Sequence, residues 1–559
     1  MAAKPSDWSF ERKGTEWVTD EERREKPRAL FWPWAATSCN VILVSFGPYV
    51  TALGLDWHLA ALAAAVGAVF SFGLLGLVSL AGQQGGAVTM VAGRAAFGFH
   101  GNKIPTLLSY LALVGWETFS AVLAALAART VAHRLDPDMD TDPVMVVTLV
   151  MVILVTTVVG IYGCHVILRI QKWFALIFAG LSVGYFVLTL PNISFAVHGQ
   201  ASVGAFAGGV MLVANALGLS WINCAADYTR YLPRESSKRA LVGWTTLGGT
   251  APAIVLMGFG TLLAAGNPDV AEQAATDPVS ALSAHLPTWF LVPYLALALV
   301  GFVSGSIIGL YSSGLALQTL GVRIPRHFTV LVDAVLIAAA GGYVAFAAPG
   351  FFAPFQAFLT TTGVVMAAWT GVYVVDIWQR RRLGYDRVAL YSLVGGYGRV
   401  NIAGVGCLIV ATIVGLGLVT SPDSHIGPLL GYLFTPAARA GSLGSSNLGV
   451  FVALVLATVG YAAFHRVRPL SPTPNAPEQP KIVRRSRSES QPHQLRPGDR
   501  VGADGVGVLP DGHALAVVGQ AEAGIDLADR LNDSERRAQH QLVAVDMGDG
   551  GGGVDDMPK

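Results

Sequence analysis

The sequence predicts an all-α polytopic membrane protein with twelve transmembrane helices. Long apolar stretches recur along the chain, few charges interrupt them, and the cations between them fall on alternate turns. Of the 559 residues, 53% are hydrophobic and 13% charged, where a soluble globular domain carries about 25% charged residues. An apolar stretch of about 20 residues crosses the roughly 30 Å hydrocarbon core as a helix. Such stretches begin near Phe31, Leu59, Thr106, Pro143, Trp173, Gly204, Leu241, Thr288, Phe328, Ala353, Ile402 and Leu448. Turns from an odd to an even stretch hold three cations, Arg129, Arg134 and Arg439, and the other turns hold fifteen, from Arg94 to Arg399. Lys and Arg are retained on the cytoplasmic side during insertion, so both termini are expected inside, at the cell (inner) membrane. One missed helix would invert every later turn, so the alternation also supports the number of spans.

Three regions follow. Residues 1–28 read as a hydrophilic cytoplasmic arm with Arg23, Arg24, Lys26 and Arg28, rather than a cleavable signal peptide. Residues 29–466 form the membrane domain. Residues 467–559, opening on a Pro-rich and then Arg/Ser-rich run, read as a disordered cytoplasmic tail. The net charge of +1 argues against nucleic acid as a partner. Cys39, Cys164, Cys224 and Cys407 show no paired spacing and read as small buried hydrophobes.

The spans are not equally regular. The first contains Pro33, Asn40, Ser45 and the pair Gly47-Pro48; the sixth contains Asn215, Gly218, Ser220 and Asn223. Proline and glycine both weaken a helix. Interrupted helices five spans apart point to an inverted-repeat transporter, because freed backbone groups at membrane depth survive beside a cavity, an ion or a ligand. An ordinary packing kink is the other reading.

In the third span, Trp116 offers a flat face for an aromatic ligand, or else packs between helices. Ser120 shares its face, and Glu117 is rotated about 100° away on an ideal helix. A carboxyl at that depth marks a proton relay, a substrate contact or a hydrogen bond between helices. Asp333 and Asp376 are expected nearer the interfaces. In the sixth region Trp221 follows Gly218 closely, and Asp227 and Arg230, three apart, read as a structural or gating pair. The eighth span supplies the hydroxyls of Ser304, Ser306, Ser312 and Ser313, with Gly305 and Gly309 allowing close backbone approach. No zinc-spaced His cluster, P-loop or nucleophile elbow stands out.

Four stretches carry a specific resemblance: FWPWAATSCN opening the first span; GRAAFGFHGNKIPTLL running on to VGWETFS in the third; AADYTRYLPRES after the sixth; and GLYSSGLALQTLG in the eighth. In order and placement the chain resembles the purine–cytosine permeases of the nucleobase–cation symporter family over roughly residues 28–465. The resemblance implies the LeuT-type fold, a 5+5 inverted repeat plus two C-terminal helices. It implies that Trp116 and Trp221 are two aromatic walls, that Ser38, Asn40 and Ser120 read the ligand's polar edge, and that Ser304 holds Na+ with first-helix carbonyls. The sequence departs from the family at Ser306-Ile307-Ile308-Gly309, where many relatives carry asparagines. Ser306 and Gly309 are therefore expected beside a larger or less polar heterocycle, and Glu117 could supply the missing hydrogen bond or take the coupled proton. Gly305 stands where a second cation-site hydroxyl is usual.

The expected function is uptake of a nucleobase-like planar heterocycle by H+ or Na+ symport with alternating access, by a monomer in the lipid bilayer, without a cofactor. The alternative is a symporter of a hydantoin, an allantoin-like ureide or a vitamin. A membrane-embedded enzyme would need convergent acid, base or metal residues, and a channel would not show counterflow.

Overall fold

The computed structural model describes residues 14–467 apart from short gaps at 41, 161–163, 197–201, 268, 323–325, 382 and 394–395. The expected tail lies outside the described residues past residue 467. Every regular element among the described residues is a helix. Seven single helices are long and apolar enough to cross a bilayer: Trp57–Gly85, Lys103–Leu135, Ala175–Asn192, Val203–Thr229, Lys238–Gly266, Thr288–Leu320 and Phe352–Arg380. They take the second, third, fifth, sixth, seventh, eighth and tenth predicted places. The first place is taken by a helix pair that meets at 65°, Pro27–Ser38 and Ile42–Thr51. The shorter apolar helices Asp142–Val158, Leu331–Phe346, Ile402–Leu416 and Gly449–Phe464 take the fourth, ninth, eleventh and twelfth.

Helix packing carries an internal repeat of five spans. The second packs on the sixth as the seventh packs on the first; the third packs on the ninth as the eighth packs on the fourth; the first packs on the fifth as the sixth packs on the tenth. The second–seventh and third–eighth contacts map onto themselves. Advancing every helix by five thus returns much of the contact set, as two copies of one five-helix unit require. The eleventh and twelfth helices fall outside this scheme and pack against the tenth.

Both broken helices are broken where side chains and a cavity take over from the helical ladder. In the first span the helix Phe31–Ser38 stops at Cys39 (φ −101°, ψ 76°). Asn40 Nδ2 donates to Thr37 O at 2.9 Å, satisfying one orphan carbonyl of the helix end. The prolines do not make this break. Pro33 lies in the first turn of its helix, where its missing N–H is tolerated, and Pro48 sits inside Ile42–Thr51. Lacking an amide, Pro48 cannot close the bond to Val44 O. That carbonyl lies where a Cβ on Gly260 of the seventh span would stand, 2.0 Å away. In the sixth span Leu217 leaves the helical region (φ −105°, ψ −113°). Gly218 N donates to Ser71 Oγ of the second span at 3.1 Å, the Ser220 hydroxyl donates to Asn215 O, and a 3-10 turn covers Ile222–Cys224.

The distinctive loop motifs are scaffolding. In the run after the second span, Arg94 donates to Leu390 O at 2.8 Å and Thr319 O at 3.2 Å, and Asn102 Nδ2 donates to Met90 O at 2.6 Å. Gly98, at φ +79°, packs on Asn401 N, which a Cβ would approach to 2.8 Å. The arm is held close. Arg23 is buried and donates to Gln83 O at 2.8 Å; Val18 N donates to Gly86 O at 2.9 Å and Glu25 N to Tyr231 O at 3.1 Å. Burial, with Arg234 nearby, pulls the Arg23 guanidinium below its ordinary value, and Asp20 and Glu235 work the other way.

Candidate functional site

The two interruptions open on one cavity. It is lined by Thr37, Asn40 and Phe46 of the first span, Trp116, Ser120 and Leu123 of the third, Leu217 and Trp221 of the sixth, and Phe302 and Gly305 of the eighth, among others. About 50 Å³ is open to the centres of water molecules, room for only a few waters. The indoles of Trp116 and Trp221 face one another, 6.2 Å between centroids and 22° from parallel. Trp116 is held by two edge-on rings of the tenth span, Phe355 at 5.6 Å and Phe358 at 5.9 Å. Gly115 lets Phe358 approach, since a Cβ there would meet its ring at 2.2 Å. Trp116 Nε1 and Asn40 Oδ1 are buried without a hydrogen-bond partner among the described residues. Such atoms cost about 1–3 kcal/mol each when left unmade, so a polar solute that paired them would gain that back.

Four of the expected ligand contacts, Asn40, Trp116, Ser120 and Trp221, thus share one cavity. Ser38 is buried away from it, its hydroxyl unpartnered. Glu117 and Ser306 line a second, smaller cavity, too tight to admit a water molecule. Gly309 packs on Glu117, whose Oε1 would lie 2.9 Å from a Cβ at that position. The side chain of Ser304 lies outside the described residues. Asp227 and Arg230 find separate partners. Asp227 accepts from Thr89 N and Oγ1, both at 2.8 Å; Arg230 donates to Gly14 O at 2.9 Å and to Tyr311 Oη at 2.9 Å. Asp333 is fully buried, near Glu117. Asp376 is buried too, paired with Arg380 at 2.8 Å.

Sequence reading missed Thr37, Phe46, Leu123 and Phe302. Helical spacing held a signal for one of them, since Leu123 lies seven residues beyond Trp116 and so shares its face. Among the described residues no three His, Cys, Asp or Glu side chains converge as a metal site would.

The chain is similar to named relatives and to solved structures. The Bacillus subtilis protein YxlA, named a purine-cytosine permease, is 24% identical over 434 residues, 75% of this chain and 90% of its own length. The Saccharomyces cerevisiae purine-cytosine permease FCY21 is 25% identical over 274 residues, 46% of this chain and 48% of its own. Mhp1, a nucleobase-cation-symport-1 family transporter, in a closed conformation with bromovinylhydantoin bound, superposes with TM-score 0.63 at 18% identity. The match covers 83% of this chain and 98% of that one. Inward-facing Mhp1 gives TM-score 0.60 at 18% identity, covering 82% and 96%. A Na+-coupled sialic acid symporter gives 0.52 at 14%, covering 80% and 91%. The family model described as permease for cytosine/purines, uracil, thiamine, allantoin matches residues 17–462, and the chain belongs to that family of membrane transporters.

Proposed function

We propose that this transporter imports a planar heterocycle of the cytosine/purine class by symport with H+ or Na+, through alternating access. The observation that carries the reading is the pair of near-parallel indoles, centroids 6.2 Å apart, at the level where the first and sixth spans are interrupted. Two van der Waals contacts of about 3.5 Å need about 7 Å between the walls, so a flat ring enters by parting the indoles. That parting moves the third span against the sixth. A cation bound more tightly in one arrangement than the other supplies the coupling. Asn40 and the Ser120 hydroxyl, on the same cavity, would read the ring's polar edge. The protein acts as a monomer in the cell membrane, with both termini cytoplasmic.

A second reading, a hydantoin, an allantoin-like ureide or a vitamin, is favoured by one observation. The eighth span brings Gly301, Phe302 and Gly305 to the cavity and no hydrogen-bonding side chain that is described. Uptake by the protein reconstituted in vesicles, with a panel of bases and ureides and with sodium and pH gradients imposed separately, distinguishes the two. Saturable uptake with counterflow is expected. Trp116→Ala should weaken apparent affinity roughly 5- to 150-fold, the worth of about 1–3 kcal/mol for one stacked ring. Wild-type accumulation by Trp116→Ala, or no competition by any planar heterocycle, would sink the proposal.

A further inference from the structure

Glu117 is a buried carboxyl that the indole cavity does not use. It is 2% exposed, and neither of its oxygens has a hydrogen-bond partner among the described residues. It lines the second cavity, between the third, fourth, eighth and ninth spans, with Ser306, Thr156 and Ile337. Ser306 Oγ is unpartnered as well. Beside Glu117 stands Asp333 of the ninth span, 0% exposed. The Asp333 oxygens are satisfied: Tyr110 Oη donates to one at 2.6 Å and Ser313 Oγ to the other at 2.8 Å. The Ser313 hydroxyl also lies within reach of Glu117.

Two buried carboxyl groups thus lie close enough to feel each other's charge. Among the described side chains facing Glu117, the third span adds Tyr110, the ninth Asp333, and the fourth and eighth no ionisable group. The Ser313 hydroxyl has one proton, and it is given to Asp333; a buried carboxylate left without that donor is neutralised rather than retained, and two neighbouring carboxyls do not both ionise readily. The hydroxyl donors favour Asp333 as the anion and leave Glu117 as the acid.

We propose that Glu117 and Asp333 form a proton-binding site through which proton movement is coupled to transport, with the proton carried by Glu117. This rests on the symport reading above and names its ion. On loading, in an arrangement that opens this cavity to water, a proton from water bonds to a Glu117 carboxylate oxygen, and the new O–H points to an unpartnered hydroxyl such as Ser306 Oγ. On release the same O–H breaks and the proton returns to water on the other side; no other bond changes. The third and eighth helices transmit the event. Trp116 and Ser120 line the indole cavity, while Glu117 lines the second cavity against Gly309 of the eighth span. Phe302 and Gly305, one turn or more earlier on the eighth span, line the indole cavity. One pair of helices walls both sites, so charging Glu117 strains the packing that sets the indole spacing.

Infrared spectroscopy of the full chain in lipid tests the site without any solute. Wild type should show the C=O stretch of a protonated carboxyl at neutral pH, Glu117→Gln should lose it, and Asp333→Asn should shift it. In vesicles, uptake under a pH gradient should acidify the lumen. In Glu117→Gln that accumulation should fall roughly 10-fold or more, the usual size of a coupling between two sites, and solute exchange should lose its dependence on pH. If Glu117→Gln does not fold, Asp333→Asn carries the test, with a shifted band and lost proton-driven accumulation expected. An unaltered band in these variants overturns the proposal. So does a sodium gradient that drives accumulation with no lumen acidification. If no planar solute is transported and the band still depends on Glu117, the substrate reading falls and the proton site stands.

Discussion

Trp116 and Glu117 are neighbours in the chain and serve different cavities, because consecutive side chains on a helix diverge by about 100°. The indole meets Trp221, and the carboxyl meets the eighth span at Gly309. A third residue, Asp227, shows what a buried acid does when its donors are supplied. It takes both the amide and the hydroxyl of Thr89, and that hydroxyl in turn accepts from Ala226 N at 2.9 Å. It thereby ties the run after the second span to the end of the sixth. Asp227→Ala strands buried donors at roughly 1–3 kcal/mol apiece, so its melting temperature in detergent should fall clearly. Asp227→Asn, which keeps Oδ1, should fall less. Equal losses would show that the carboxylate charge, not the acceptor, matters there.

At the scale of elements, close approach is set by what a helix lacks. Val44 O is released by Pro48 and lies against Gly260, and Gly47 lies against the backbone of Gly260 and Thr261, which a Cβ would approach to 2.3 Å. The first and seventh spans therefore touch backbone to backbone. Gly260→Ala should lower stability by roughly 1–3 kcal/mol through overpacking. Gly258→Ala, on the same helix with nothing within 4 Å of its Cβ, should be neutral or gain up to about 1 kcal/mol from helix propensity. Thermal unfolding of the pair in detergent checks this, and equal melting temperatures would refute the contact.

Over the whole molecule, the contacts sort the helix ends into two sets. The arm binds the ends of the second and sixth spans through Gln83, Gly86 and Tyr231, and Tyr391, after the tenth, donates to Thr15 O at 2.6 Å. At the other set, Arg129 of the third span pairs with Asp277, between the seventh and eighth, at 2.5 Å, and Arg134 donates to Leu286 O at 2.9 Å. Even ends gather with the arm and odd ends gather with each other, as alternating passage through a bilayer demands. A cysteine placed at Asp138 should react with an impermeant maleimide in intact cells. One at Glu235 should react only after lysis. The reverse pattern would invert the proposed orientation.

The all-helical class, the order of the long apolar helices and the alternation of charge were legible in the sequence, because crossing a bilayer is a local demand on some 20 residues at a time. The interrupted spans were legible too, but the position of the first break was not. Proline marks a missing amide wherever it stands, whereas the break fell at Cys39, where the cavity and the Asn40 amide replace the ladder. Trp116, Ser120, Asn40 and Trp221 could be nominated one at a time. That they meet on one cavity, and that Glu117 turns away from it toward Asp333, was decided by the packing of third, sixth, eighth and ninth helices. Those residues lie up to 293 positions apart, from Asn40 to Asp333. Which face of one helix meets which face of another depends on side-chain fit summed over the whole bundle, and no local pattern in the chain encodes that sum.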